Sequence, residues 1–284
     1  MASPGHRAHT DRSSQARAAP GAAKRRLAAL TAILAIAVFA AVALSVNAAV
    51  VQSGNLRIYL KSQVAPYNLP RIGTSPISVF VAGQVQATNG GVPSQLQRLD
   101  ILVNRHARFQ SRGLQSCPLP RIQPSTTAQS LDRCGPAVVG SGQFWAQIVL
   151  PEQGSYLTQG RLLIFYGEAH GQPALLAHIF TTHPFATSFV IPFHIHQVDR
   201  GPYGTELSAS LPEALGTWGY VDRIKLTLKR KYSYRGQRLS YFNAGCPAPA
   251  YAPRISYHLA YATFSFAAHK RIGVDVEKTC GVRK

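Results

Sequence analysis

Acids are what this chain has least of: 11 Asp and Glu stand against 30 Lys and Arg. Residues 1–26 hold six of those bases and one of the acids, which leaves 24 bases against 10 acids after them. The part of the chain that can fold is therefore itself strongly basic, and such a surface favours polyanionic partners. Charge of either sign is also sparse. Charged residues make up 14% of the chain and apolar ones 46%, which excludes extensive disorder beyond the first two dozen residues and leaves material for a sizeable core.

Recognisable reactive centres are absent as well. The sequence contains no Ser-x-x-Lys, no His-Glu-x-x-His and no phosphate-cradling Gly-rich loop with a Lys. Ser141 in "VVGSGQF" lacks the spacing of a Gly-x-Ser-x-Gly nucleophile elbow. No internal repeat and no Gly/Ser-rich or Pro-rich linker divides the chain, so one domain is expected over residues 49–284.

The first feature that is present is an address. Residues 1–26 form a polar, basic tail ending in Lys24, Arg25 and Arg26, and Leu27–Val46 then runs twenty residues without a charge. Basic start, apolar run and small residues after it describe a signal peptide over 27–48, with a cut after Ala48 or at the alternative small residues Ala41 and Ala43. Twenty apolar residues also suffice for an uncleaved membrane anchor. Either way the basic cluster stays cytoplasmic, as a disordered tail, and the rest lies outside. One apolar helix is thus expected ahead of the folded domain.

Four cysteines fit that address, because an even set in an exported chain reads as disulfides. Nearest neighbours suggest Cys117 with Cys134 and Cys246 with Cys280, while no pair has the spacing of a zinc knuckle.

Apolar and polar residues alternate through most of the chain after residue 55, with Gly, Pro and Asn between the runs. "TNGGVP" marks a turn at Asn89 and Gly90, and "STTAQSLDRCG" reads as a short helix with a Ser or Thr N-cap and Gly135 past its end. The expected fold is all-β: an antiparallel β-sandwich, or partly closed barrel, of about twelve strands.

Three stretches carry side chains capable of chemistry. In "SFVIPFHIHQV", His194 and His196 sit two apart, so a strand places both on one face, where His178, His183 or Glu168 could supply a third metal ligand. Alternation alone accounts for the stretch, with Ile191, Phe193 and Ile195 facing the core, so no metal is assigned. Asp275 and Glu277 share a strand face as a carboxylate pair, with Lys278 a nearby counter-charge. In "DRIKLTLKRKYSYRGQR", Arg223, Lys225, Thr227, Lys229 and Lys231 alternate with Ile224, Leu226 and Leu228. Arg230, Arg235 and Arg238 extend the charge around a hairpin tip, with Tyr232, Tyr234 and Tyr241 interleaved. The stretch reads either as an edge strand that uses cations to refuse pairing, or as a ribbon for an anionic ligand carried by Arg223, Lys225, Lys229, Arg230, Lys231, Arg235 and Arg238.

At "LPRIGTSP", "CGPAVVGSG", "SFVIPF", "LGTWGYV" and "CPAP" the chain resembles an uncharacterised family of exported actinobacterial β-rich proteins, over most of residues 65–283. The resemblance implies export and a β fold, and it transfers no catalytic residue. The expected function is a non-enzymatic, cofactor-free envelope domain, structural or bound to an anionic lipid or cell-wall polymer. It is secreted, or held to the membrane through residues 27–46, with no specific nucleic acid expected. The alternative is an extracellular metal-dependent or carboxylate hydrolase.

Overall fold

The structure, a computed structural model, describes residues 48–149, 155–183, 186–211 and 219–283. The expected N-terminal apolar helix and the basic tail lie outside those residues. Among the described residues no helix is long and apolar enough to cross a membrane.

Nineteen strands alternate along the described chain. The first eight are β1 (Ala48–Ser53), β2 (Leu56–Ala65), β3 (Asn68–Leu69), β4 (Ser75–Pro76), β5 (Ser78–Ala87), β6 (Leu96–Asn104), β7 (Ala107–Phe109) and β8 (Cys117–Pro118). One helix, α1 (Thr127–Cys134), follows. After it come β9 (Val138–Val149), β10 (Ser155–Ala169), β11 (Gln172–Thr181), β12 (Thr187–Arg200), β13 (Tyr203–Ser210) and β14 (Gly219–Leu228). The last five are β15 (Lys231–Tyr234), β16 (Gln237–Ser240), β17 (Phe242–Ala244), β18 (Arg254–Phe266) and β19 (Arg271–Val282).

The all-β expectation holds, and of the two architectures expected the partly closed barrel is the nearer: the strands, nineteen rather than about twelve, form no two-layer sandwich. One 14-stranded sheet runs β1-β2-β5-β14-β9-β10-β11-β12-β13-β6-β18-β19-β3, with β8 added beside β10. It is antiparallel except at β8–β10 and β3–β19, and it curls into a half-barrel. Sheets twist with a fixed hand, so a sheet this wide curls and brings its own ends together instead of needing a partner sheet. β1 and β2 lie against β19, and Leu56 and Ile58 of β2 pack on Ala262, Phe264 and Phe266 of β18 and Ile272 and Val274 of β19. Two small sheets, β4-β17-β7 and the hairpin β15-β16, stand apart from the main one.

The inner face carries the main core: Phe144, Leu162, Ile164, Leu175, Ile179, Ile191 and Leu207 from successive strands. Strands β10 to β12 are covered on the outer face as well. There Leu163, Phe165, Ala174, Leu176 and Val190 pack beneath Cys117, Ile122, Cys134 and Ala137. Burial on both faces is why "ALLAHIF" in β11 is apolar but for His178, where other strands alternate.

The covering segment holds the expected helix. Thr126 caps α1, its hydroxyl accepting from the Gln129 N–H while the Gln129 side chain accepts from the Thr126 N–H. Gly135 follows in right-handed geometry and leads into a 3-10 turn at Gly135–Ala137, rather than adopting the left-handed cap common at such glycines. Cys117 and Cys134 are bridged, as are Cys246 and Cys280, which are the pairs expected from spacing. With no free cysteine among the described residues, the bridges fit an oxidising, extracytoplasmic setting.

Thiol titration of denatured, unreduced protein should find no free thiol, and reduction should remove about 3 to 4 kcal/mol per loop. Gly167 faces the Cys117 carbonyl across the β8–β10 pairing, where a Cβ would collide with backbone. Gly167→Ala should cost about 1–3 kcal/mol in denaturant unfolding. Gly135→Ala, with open space around it, should stay within about 0.5 kcal/mol of the parent. Equal stability of the two variants would contradict the packing described.

Candidate functional site

His194 and His196 do share a face of β12, with ring centroids 6.3 Å apart. Their neighbours across the ladder are Ala174 and Ser208 for His194, and Glu206 for His196. Glu206 is turned to Arg200, 3.4 Å away. Partial burial, with His196 and His170 nearby, pushes the His194 imidazole below its ordinary pKa. The proposed third ligands are elsewhere. Glu168 accepts from the Ser116 hydroxyl, and the His183 carbonyl accepts from the Thr158 and Thr181 hydroxyls. His178 is wholly buried under the 117–137 segment, its Nε2 2.9 Å from the Ser125 carbonyl oxygen.

Among the described residues, the one group of three metal-capable side chains is a different one: His258, Asp275 and Glu277. His258 and Glu277 are cross-strand partners on β18 and β19. The His258 Nδ1 stands 2.7 Å from Asp275 Oδ2 and 3.9 Å from Glu277 Oε1. The carboxylate pair is thus answered by a histidine, not by Lys278, which pairs with Tyr257 and whose ammonium pKa is lowered by burial.

The basic stretch is rearranged most. β14 is not an edge strand: it lies between β5 and β9, hydrogen-bonded to both. The cations on it are not there to refuse pairing. Nor is the stretch one strand, since β14 ends at Leu228 and the chain turns through Lys229 and Arg230 into the β15–β16 hairpin. Arg235 and Gly236 form the hairpin tip with positive φ, and the Arg235 guanidinium sits over the Tyr234 ring. Lys231 is exposed on β15, paired in register with Ser240. Arg230 leaves the ligand surface altogether, because its guanidinium donates to the Pro136 carbonyl oxygen at 2.8 Å and its Nε is buried.

Arg223 and Lys225 do face outward, and the register gives them companions that the sequence separates widely. One cross-strand row reads Lys61, Ala82, Lys225, Gln143, Arg161 on β2, β5, β14, β9 and β10. The next reads Tyr59, Gln84, Arg223, Trp145, Gln159 on the same strands. Strands lie about 4.8 Å apart, so the cations of the first row repeat every 10 Å or so. Neither row contains a carboxylate. The Trp145 N–H donates to the Gln159 side chain at 2.9 Å, while Arg223 and Lys225 lie over its ring at 5.5 and 5.6 Å. A shallow depression of about 270 Å³ lies between Lys225 and Arg161.

Arg238 is separate from that face. It lines a cleft of about 700 Å³ with Arg105 and Arg108, two residues that nothing in the local sequence singles out. Asn104 sets Arg105 in place: buried at the end of β6, it donates to the His258 carbonyl oxygen and accepts from the His106 N–H, closing a tight turn into β7. Arg108 follows on β7, directly across from Asn243 on β17.

Comparison with protein-family models, curated proteins and solved structures finds no match, so the site is read from its own geometry.

The buried imidazole has a consequence for stability. Burial pushes the His178 pKa down, and its Nδ1 has no partner. The folded state then binds fewer protons than the unfolded one, so its contribution is complete above the ordinary histidine range and is lost as pH falls through it. The urea midpoint should drop from about pH 7 to about pH 5. His178→Gln, which keeps a donor toward Ser125, should show a smaller drop. An unchanged pH slope in the variant would assign the effect to His106 and His194, which are also pushed down.

Proposed function

We propose that this is an exported, non-enzymatic envelope protein that binds a linear anionic polymer across the outer face of β2, β5, β14, β9 and β10. It is secreted, or held at the membrane through residues 27–46. The observation that carries this reading is the cross-strand row of Lys61, Lys225 and Arg161, evenly spaced by the sheet and free of carboxylates. Arg57 and Arg223, the latter 3.5 Å from the Asp222 carboxylate, widen the strip, and Tyr59 and Trp145 give it flat polar-edged rings. A ladder with a fixed repeat suits a chain of regularly spaced charges. Base-specific readout of duplex DNA needs groove-reading elements, and the strip offers none.

The test is binding of purified protein to long-chain polyphosphate, neutral dextran and phosphatidylglycerol vesicles over a range of salt. The triple variant Lys61→Ala/Lys225→Ala/Arg161→Ala should lose about tenfold or more in polyphosphate affinity, and its salt dependence should flatten by roughly one unit of slope per cation. Dextran should not bind. Parent-like binding by the triple variant would refute the surface, and preference for vesicles over polyphosphate would move the partner from polymer to lipid headgroup.

The hydrolase alternative has one observation in its favour, the His258–Asp275–Glu277 group. All three side chains are solvent-exposed, at 41 to 61%. A zinc-dependent rise in thermal midpoint that disappears in His258→Ala would support it; no rise would remove it.

A further inference from the structure

We infer that the cleft between Arg105, Arg108 and Arg238 is a second, independent binding site, for a short anionic saccharide carrying a phosphate or carboxylate. Its volume, about 700 Å³, is in the range of small-molecule sites. Its charge is of one sign: three arginines line it, and no Asp, Glu or Lys does. The choice of base matters. A guanidinium is a planar fork that meets a carboxylate or phosphate through two parallel hydrogen bonds, which an ammonium cannot do.

The three arginines are not equally committed. Arg105 is held from behind, its guanidinium donating to Asp199 at 2.8 Å and to the Gly201 carbonyl oxygen. Arg108 and Arg238 have no ion pair or side-chain hydrogen bond among the described residues. Two exposed forks thus converge on one cavity beside a third whose direction is fixed. Like charges brought together without a counter-ion repel, and an anion between them relieves that cost.

The rest of the lining indicates what carries the anion. Gln110, Gln197 and Asn243 contribute amides, and Thr74 and Thr205 hydroxyls, while apolar side chains are few. Groups that donate and accept in turn match a hydroxyl-rich carrier rather than an acyl chain. The walls are firm. Arg108 is on β7, an edge strand hydrogen-bonded to β17, and just past β17 the chain is tied to β19 by Cys246–Cys280. The Tyr232 hydroxyl shares its proton between the Gln110 and Arg112 carbonyl oxygens, at 2.9 and 3.0 Å, fixing the loop after β7 to the hairpin that carries Arg238. A site framed by secondary structure and a disulfide keeps its geometry without ligand.

This site shares no residue with the Lys61–Lys225–Arg161 strip, so either can fail alone. Calorimetric titration of the full folded domain with glucose 6-phosphate, glucuronate, glucose and inorganic phosphate tests it. Glucose 6-phosphate and glucuronate should bind, with glucose at least tenfold weaker. Arg108→Ala/Arg238→Ala should weaken both tenfold or more. Arg108→Lys/Arg238→Lys should weaken them by several-fold although it keeps the charge, because the fork is lost. The Lys61/Lys225/Arg161 triple variant should bind these sugars like the parent. Absence of sugar-phosphate binding at millimolar concentration, or binding unaffected by either double variant, overturns the inference. Inorganic phosphate binding as tightly as glucose 6-phosphate refutes the saccharide part of it. Unchanged circular dichroism and thiol counts in the variants, all at exposed positions, establish that lost binding is not lost folding.

Discussion

Strands β10 to β12 have to be covered on both faces, and much of the molecule follows from how that is done. Phe165, Leu163 and Leu176 point away from the main core, and each would cost roughly 1.5–3 kcal/mol if left in water. The chain answers with the excursion from Cys117 to Ala137, which contains the one α-helix among the described residues. Such a short segment cannot hold itself in place by helix propensity, since isolated helices of this length are marginal. It is held instead by a bridge between its ends, by the two-residue pairing of β8 with β10, and by the Thr126 cap. Gly167 and the buried His178 are two of the places where this cover meets the sheet, one by close backbone approach and one by a hydrogen bond to Ser125.

That cover also bounds the candidate binding face. Along β10 the outward side chains change character within one step of the alternation: Arg161 is exposed, Leu163 and Phe165 are buried. The bare part of the sheet is therefore next to the stapled part, and Arg230 joins the two, its guanidinium reaching Pro136 at the end of the excursion. A residue that looks in sequence like part of a cationic run is a structural tie. Its backbone carbonyl is engaged as well, accepting from the Tyr241 N–H and the Ser240 hydroxyl at the base of the hairpin.

Strand positions, the Asn89–Gly90 turn, the capped helix and the disulfide pairs were legible because each is a local signal: alternation, a positive-φ glycine, a Ser or Thr N-cap, a short spacing. What stayed hidden was pairing. Nothing in the alternation of Arg223 to Leu228 distinguishes an edge strand from one flanked by β5 and β9, since half-burial on one face produces the same pattern in both. The same limit left sandwich and partly closed barrel both open. Strands that each bury one face can close two sheets against each other or curl one sheet on itself, and the choice lies in twist and register, which the local pattern does not carry. His258 meeting Asp275 and Glu277 was equally invisible, because the register of β18 against β19 includes a shift between His258 and Ala260.

The cations show why nearness in sequence is a poor guide to a binding surface. Sixteen residues from Arg223 to Arg238 deliver charge to four places: Arg223 and Lys225 to the outer face, Arg230 to the tie at Pro136, Lys231 and Arg235 to the exposed hairpin, and Arg238 to the cleft. The change of direction at Lys229 and Arg230, where one sheet ends and a hairpin begins, does the dividing. Each destination then recruits partners from afar, Lys61 and Arg161 on one side and Arg105 and Arg108 on the other. Because a sheet sets its cross-strand spacing through the backbone, the outer row can present a repeat that survives side-chain motion, which suits a polymer read by its charge period. The cleft gathers its charges from a turn, a short strand and a hairpin, and such a convergence of unlike elements suits one compact ligand read by its shape.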